Sequence, residues 1–341
     1  MIIRYYTSNM PFQQILGIFV TALLLWSGFF LGYSTWTPHA DLEPLGFYLY
    51  QAAWQYPLAA SLLSMLMVVF QALWANSLSH QIKFSAHTSY LTAFIYLLFA
   101  GTFQGYLMTG PAIIAGFIVL GVFQTMINAY YQRNMYRNIF HAALLAGIGA
   151  LFYWPLLGLW LFVLIGLIVY RDITVRKILL AILGLLPPLA GVMLYHYSLH
   201  SEDQYFYWMG QAMADWHISL DFSVPEVMLF ALLSIFLILS AVLISYKSGE
   251  RIMSTQRFIV MINWYFGIAI LLGGLGQDLK QHMMLLFLPI ALYLGSVIEK
   301  MKKKYFFEMA LWLYILLLVI YRFEDEIQRF FGIELSMFSN F

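Results

Sequence analysis

Four residues have the types and spacing that could do chemistry. Asp41 and Glu43 stand two positions apart in T-P-H-A-D-L-E-P, just after an apolar run, with His39 beside them. A carboxylate in a partly desolvated interfacial cleft has a raised pKa and can act as a general base. Lys280 and His282 stand two apart in G-Q-D-L-K-Q-H, just before another apolar run. A cation at the lip of a membrane span is what a lipid-phosphate ligand requires, so Lys280, with His282 beside it, is the candidate phosphate-binding pair. Each motif also has a plainer reading. Asp41 could cap a short helix with Pro44 near its start, and Lys280 could simply pair with Asp278. His196 and His200 have the spacing that points two imidazoles one way on a helix, with Glu202 following. An interfacial histidine pair at a helix end explains them better, and no metal site and no cofactor are expected.

These residues must be positioned by membrane helices. The chain has 341 residues, 62% of them hydrophobic and 10% charged, and a mean hydropathy of +0.80. A soluble domain carries about 25% charge, so an all-α polytopic membrane bundle is the expectation. A net charge of +1 argues against a nucleic-acid partner. The absence of cysteine excludes a disulfide, a thiolate metal site and a thiol nucleophile. Arg4 followed by an apolar run from Ile15, with no small-residue cleavage site, reads as a retained first helix.

With about 20 residues needed per crossing, the apolar runs predict eleven spans. They are Ile15–Tyr33, Leu58–Trp74, Ser89–Phe103, Pro111–Tyr130, Ile139–Phe152, Pro155–Tyr170, Ile178–Tyr197, Val227–Tyr246, Phe258–Leu272, Met283–Ile298 and Met309–Tyr321. The fifth and sixth are short, meet at the Phe152–Pro155 corner, and could instead form a re-entrant pair. Pro187-Pro188 and Pro289 should kink or break the seventh and tenth. A cytoplasmic N-terminus leaves 14 of the 17 Lys and Arg on the inside, including Lys300, Lys302, Lys303 and Lys304, and only Lys280, Arg322 and Arg329 outside. The C-terminus is then periplasmic. Asp41, Glu43, Lys280 and His282 all fall on the outside, where the two longest loops, Ser34–Pro57 and Ser198–Val224, mix aromatics with carboxylates and histidines. No repeat or linker divides the chain, so residues 1–341 read as one integral-membrane domain. The first four spans hold no ionisable group, which counts against an ion-coupled transporter.

Two resemblances add to this. D-L-K-Q-H-M-M-L-L-F-L-P-I-A-L-Y-L-G is similar to a stretch of the polyprenyl-phosphate-dependent glycosyltransferases of the GT-C class, in which a lysine or arginine lies near the lipid phosphate. That class also has a catalytic carboxylate in its first outside loop. The resemblance implies Lys280 as phosphate ligand, Asp41 or Glu43 as base, and sugar transfer from a polyprenyl-phosphate lipid. The chain departs from the pattern: His282 and Met283 replace a polar-aromatic pair, the first loop is short, and it lacks paired acidic residues. The runs I-F-H-A-A-L-L-A-G-I-G-A-L-F-Y-W-P and I-V-Y-R-D-I-T-V-R-K-I-L-L-A-I-L-G-L-L-P-P resemble an uncharacterised family of polytopic inner-membrane proteins found mainly in Bacteroidota. That family implies the inner membrane and no particular activity. The expected partners are therefore membrane lipid, a polyprenyl-phosphate sugar, or other membrane subunits. The rival expectation is a non-enzymatic subunit of a larger envelope or secretion complex.

Overall fold

The structure, a computed structural model, describes residues 2–30, 45, 49, 51, 53, 55–85, 88–102, 110–131, 135–200, 203, 206, 210, 224–246, 253–273, 282–301 and 304–323. The elements among them are helical. After a short α1 (Ile2–Tyr6) come α2 (Pro11–Phe30), α3 (Pro57–Gln81), α4 (Leu91–Ala100), α5 (Pro111–Tyr131) and α6 (Tyr136–Phe152). A 3-10 turn at Trp154–Leu157 leads into α7 (Gly158–Val169), followed by α8 (Val175–Ser198), α9 (Val224–Tyr246), α10 (Met253–Gly273), α11 (Met284–Lys300) and α12 (Tyr305–Arg322). Over its described residues, each predicted apolar run overlaps one of these helices. Local chemistry sets several starts. Pro11, Pro57 and Pro111 open α2, α3 and α5, where a missing N–H costs nothing. The Thr174 hydroxyl accepts from the Lys177 N–H and caps α8.

Among the described residues, five helices are long and apolar enough to cross a membrane: Pro57–Gln81, Pro111–Tyr131, Val175–Ser198, Met253–Leu272 and Tyr305–Arg322. The protein is thus a membrane protein by helix length and composition. The prolines expected to kink or break helices do not end them. Residues 175–198 form one helix through Pro187 and Pro188, and residues 284–300 one helix through Pro289. In α8 the tertiary contact with α6 compensates for the lost ladder bonds.

The centre of the core is α4 and α11. All ten residues of α4 are buried, as are Met284, Leu285 and Phe287–Ile298 of α11. They run antiparallel: Thr92, near the start of α4, meets Gly295, near the end of α11, while Tyr96 packs edge-on against Phe287, ring centroids 6.2 Å apart. A Cβ at Gly295 would lie 2.5 Å from Thr92 Oγ1, so glycine is what lets the two backbones approach. α3 flanks α4 on another side.

Contacts at the helix ends separate the molecule into two ends. At one, Ser85 bonds Glu299, Thr255 Oγ1 donates to Ile82 O at 3.2 Å, Tyr170 OH donates to Met126 O at 2.9 Å, and Arg257 lies over the Tyr130 ring. The Ile2 N–H donates to Glu308 Oε1 at 2.9 Å, placing α1 there too. At the other, Tyr153 meets His282 and Arg322 reaches α2 and α4. The first end collects Arg4, Lys83, Arg137, Arg171, Arg176, Lys177, Arg257, Lys300 and Lys304. Among the described residues, Arg322 is the one Lys or Arg at the opposite, charge-poor end.

α8 leans on α6 and little else. Its contact is built from small residues: a Cβ at Gly184 would lie 2.5 Å from Phe140 O, and one at Gly147 would lie 2.7 Å from Leu185 O. Gly184→Ala should push α8 off α6, because its obstacle is backbone, and should lower the melting temperature of the detergent-solubilised protein, overpacking costing about 1–3 kcal/mol. Gly191→Ala, on the same helix with nothing within 4 Å of the added carbon, should instead stabilise by up to about 1 kcal/mol through helix propensity. Melting shifts of the same sign would rule out this contact as the determinant.

Candidate functional site at the charge-poor end

Of the four predicted site residues, Asp41, Glu43 and Lys280 lie outside the described residues, as do His39 and Asp278. The Asp41–Lys280 relation therefore stays an expectation. His282 is described, and its surroundings differ from those of an exposed phosphate ligand. It precedes α11, is 4% exposed, and packs edge-on against Tyr153, ring centroids 5.2 Å apart. Tyr153 is placed by the corner predicted from Phe152-Tyr153-Trp154-Pro155. Its N–H closes α6 on Gly149 O at 2.8 Å, its backbone turns extended (φ −155°, ψ 102°), and Pro155 begins the next turn. That break in the helix swings the ring under α11.

The His282–Tyr153 pair is polar and buried. Neither imidazole nitrogen of His282 and not the Tyr153 hydroxyl has a hydrogen-bond partner among the described residues. Burial pushes the His282 pKa from its ordinary 6.5 down to about 4, because a low-polarity site disfavours the imidazolium. At neutral pH the ring is uncharged. It offers one N–H donor and one ring-nitrogen acceptor, and no positive charge for a phosphate.

Arg322 is the cation that the sequence reading undervalued, counting it only as an outside charge. It ends α12, and its Nη2 donates to Leu25 O at 2.7 Å and Gly101 O at 2.8 Å. One guanidinium nitrogen thus joins α2, the end of α4 and α12. The other, Nη1, is fully buried and has no partner. The available signal was an arginine closing an apolar span on the side that the charge bias leaves nearly empty.

His196 and His200 do not form the two-imidazole face that their spacing allowed. His196 is buried in the last turn of α8, but the helix ends at Ser198 and His200 takes a left-handed backbone, φ 54°. Among the described residues, no three His, Cys, Asp or Glu side chains come together as a metal site would need.

Within the bundle the polar groups are neutral and face each other between α3, α4 and α5. Gln71 Nε2 donates to Ile113 O at 2.6 Å while Tyr96 OH donates to Gln71 Oε1 at 3.0 Å. Asn76 Nδ2 donates to Ser89 O at 3.1 Å, and Trp26 Nε1 donates to Ser64 Oγ at 3.2 Å. Between the end of α4 and the middle of α12, Thr102 and Tyr314 share a hydrogen bond of 2.8 Å. Such pairs join helices where the surrounding lipid offers no hydrogen bonds.

An all-helical membrane bundle with a buried, unsatisfied polar group at its charge-poor end is the class that fold and site define. Residues 44–331 match the family of unknown function DUF6427, and the chain belongs to that family. No curated protein matches it. No solved structure matches it either.

Because the His282 nitrogens are buried without partners, His282→Leu should not destabilise the protein and should stabilise it by about 1–3 kcal/mol, the usual cost of leaving such a group unsatisfied. A pH signature should accompany it. With a folded pKa of about 4 against an ordinary 6.5, the unfolded chain binds the proton first, so stability falls as pH drops from about 6.5 towards 4. His282→Leu should flatten that slope in melting curves recorded across the range. A variant that unfolds more readily with an unchanged slope would mean that the imidazole is satisfied.

Proposed function

We propose that this chain is an inner-membrane envelope-glycan protein of GT-C-like architecture that binds a polyprenyl-phosphate lipid at its periplasmic face and transfers the sugar. In this reading the chain crosses at all eleven apolar runs, the ten-residue α4 covering only part of its crossing, with the N-terminus cytoplasmic and the C-terminus periplasmic. The observation that carries the reading is the separation of charge between the two ends of the bundle. The basic end is cytoplasmic, because clustered positive charge resists translocation. The charge-poor end, with His282, Tyr153 and Arg322, then faces the periplasm, on the side where Asp41, Glu43 and Lys280 fall in the sequence. Lys280 supplies the charge for the phosphate, which neutral His282 cannot. Asp41, with Glu43 as the alternative, takes the proton from the acceptor hydroxyl as that oxygen bonds the anomeric carbon and the lipid phosphate departs.

A second reading, a non-enzymatic subunit of a larger envelope or secretion complex, is favoured by one feature. In α8, 11% of the apolar window is buried within the bundle, which leaves a long face for another membrane helix as readily as for lipid.

Lys280→Ala should weaken binding of a polyprenyl-phosphate probe about tenfold, the value of one charge-assisted contact. Asp41→Asn should leave binding intact and abolish glycan transfer. Wild-type glycan products from both variants would remove the enzyme reading, and co-purification of a stoichiometric membrane partner would then favour the subunit.

A further inference from the structure

The geometry points to Arg322 as the cationic ligand of a phosphate-class anion bound within the charge-poor end of the bundle. This deepens the proposed lipid-phosphate reading by naming a second, built-in ligand beside Lys280, and it rests on that reading only for the source of the phosphate. The observations concern one side chain. Its guanidinium is fixed in direction, because Nη2 donates to both Leu25 O and Gly101 O. The two carbonyls come from helices that cross closely at this level: a Cβ at Gly101 would lie 3.0 Å from Leu25 Cβ. Nη1 is buried with no partner, and no carboxylate pairs with Arg322 among the described residues.

Two carbonyl dipoles do not neutralise a desolvated cation. A buried charge is costly unless an opposite charge and further hydrogen bonds compensate it. The fold therefore holds a planar donor with one nitrogen committed to structure and the other unbonded. Its charge suits an anion with several acceptor oxygens. A further donor lies on the helix that lines α2. Ser61 Oγ is buried without a partner, one turn from Ser64, which bonds Trp26 of the same α2 that gives Leu25. A phosphate monoester carries three acceptor oxygens and can bond a guanidinium nitrogen while keeping others for further donors. A polyprenyl phosphate and free inorganic phosphate both present this chemistry.

The test uses the full chain in nanodiscs of neutral phosphatidylcholine. Melting is followed with inorganic phosphate, with undecaprenyl phosphate, and with sulfate as the competing anion, and binding of each phosphate is titrated. Wild type should be stabilised by at least one of the two phosphates. Arg322→Met should weaken that binding about tenfold or more, as expected for loss of a hydrogen-bonded charge. Arg322→Lys, which keeps the charge but not the fork, should fall between them. Stabilisation by the lipid alone places the site on a membrane ligand. Stabilisation by inorganic phosphate alone, lost in Arg322→Met, supports the site and overturns the lipid reading. Lipid binding that is lost in Lys280→Ala but unchanged in Arg322→Met and Arg322→Lys overturns this inference and leaves the proposed function standing. If Arg322→Met fails to fold, wild type and Arg322→Lys decide. Absence of stabilisation by either phosphate, as when the chain's own Glu324-Asp325-Glu326 neutralises the guanidinium, overturns the inference.

Discussion

The close approach of α11 to α4 is the contact on which the rest of the bundle depends. Gly295 lies against Thr92, and a side chain there would meet the threonine hydroxyl at 2.5 Å. Two helices without a lipid-facing side result, and the other elements pack around them. Such packing matters because hydrophobic burial does not drive helix association inside a bilayer; shape fit and hydrogen bonds must. α4 has ten residues and spans about 15 Å, roughly half of a hydrocarbon core. It can sit at membrane depth because protein, rather than lipid, surrounds its ends. The same constraint explains Arg322. A short helix leaves carbonyls unbonded near Gly101, and a guanidinium from α12 supplies the donor.

The depth at which polar groups sit sorts the chemistry. In the middle of the bundle, Gln71, Tyr96, Ser64 and Trp26 are engaged with neutral partners or backbone. Groups of that kind join helices and offer little to an ion in transit, which would need charge or water at that depth. At the basic end, Lys177 is buried but closed off by Asp172, with the Tyr136 ring 5.6 Å from its ammonium. At the charge-poor end His282, Tyr153, Ser61 and Arg322 keep unbonded polar atoms. Buried groups of this kind are expensive; Asn76 Oδ1, near the basic end, is another, but His282, Tyr153 and Arg322 lie at one end of the bundle, which is a reason to look for a ligand there.

The helices were legible because a bilayer selects long apolar runs that a single sequence displays directly. Each run from Ile15–Tyr33 to Met309–Tyr321 lands on a helix, and the Phe152–Pro155 corner is where the backbone turns. Proline does not end α8: the ladder bonds lost at Pro187 and Pro188 are a local cost, while the Gly147 and Gly184 contact between α6 and α8 is a tertiary gain. His200 misled because helical spacing predicts a shared face only while the helix continues, and α8 stops two residues earlier. The candidate site was legible by residue type at His282, but its burial was not, since the ring that covers it lies 129 positions away in sequence. Arg322 was harder still. Its partners are backbone carbonyls 297 and 221 positions away, and a carbonyl has no signature in a sequence.

The unbonded atoms at the charge-poor end bear on the choice between enzyme and subunit. A subunit held by lateral helix contacts needs apolar faces and small residues, and α8 provides both. It does not need a fixed guanidinium with a dry, unpaired nitrogen, nor an imidazole deprived of every partner, because each reduces stability without adding contact area. Stability is a small difference between large terms, so such costs persist where something else is gained. A ligand that bonds those atoms is one such gain, and it would offset the desolvation only when bound. The lateral face of α8 and the polar groups at the end of the bundle are therefore compatible features, because the first is an apolar helix surface and the second a set of buried polar atoms elsewhere in the fold.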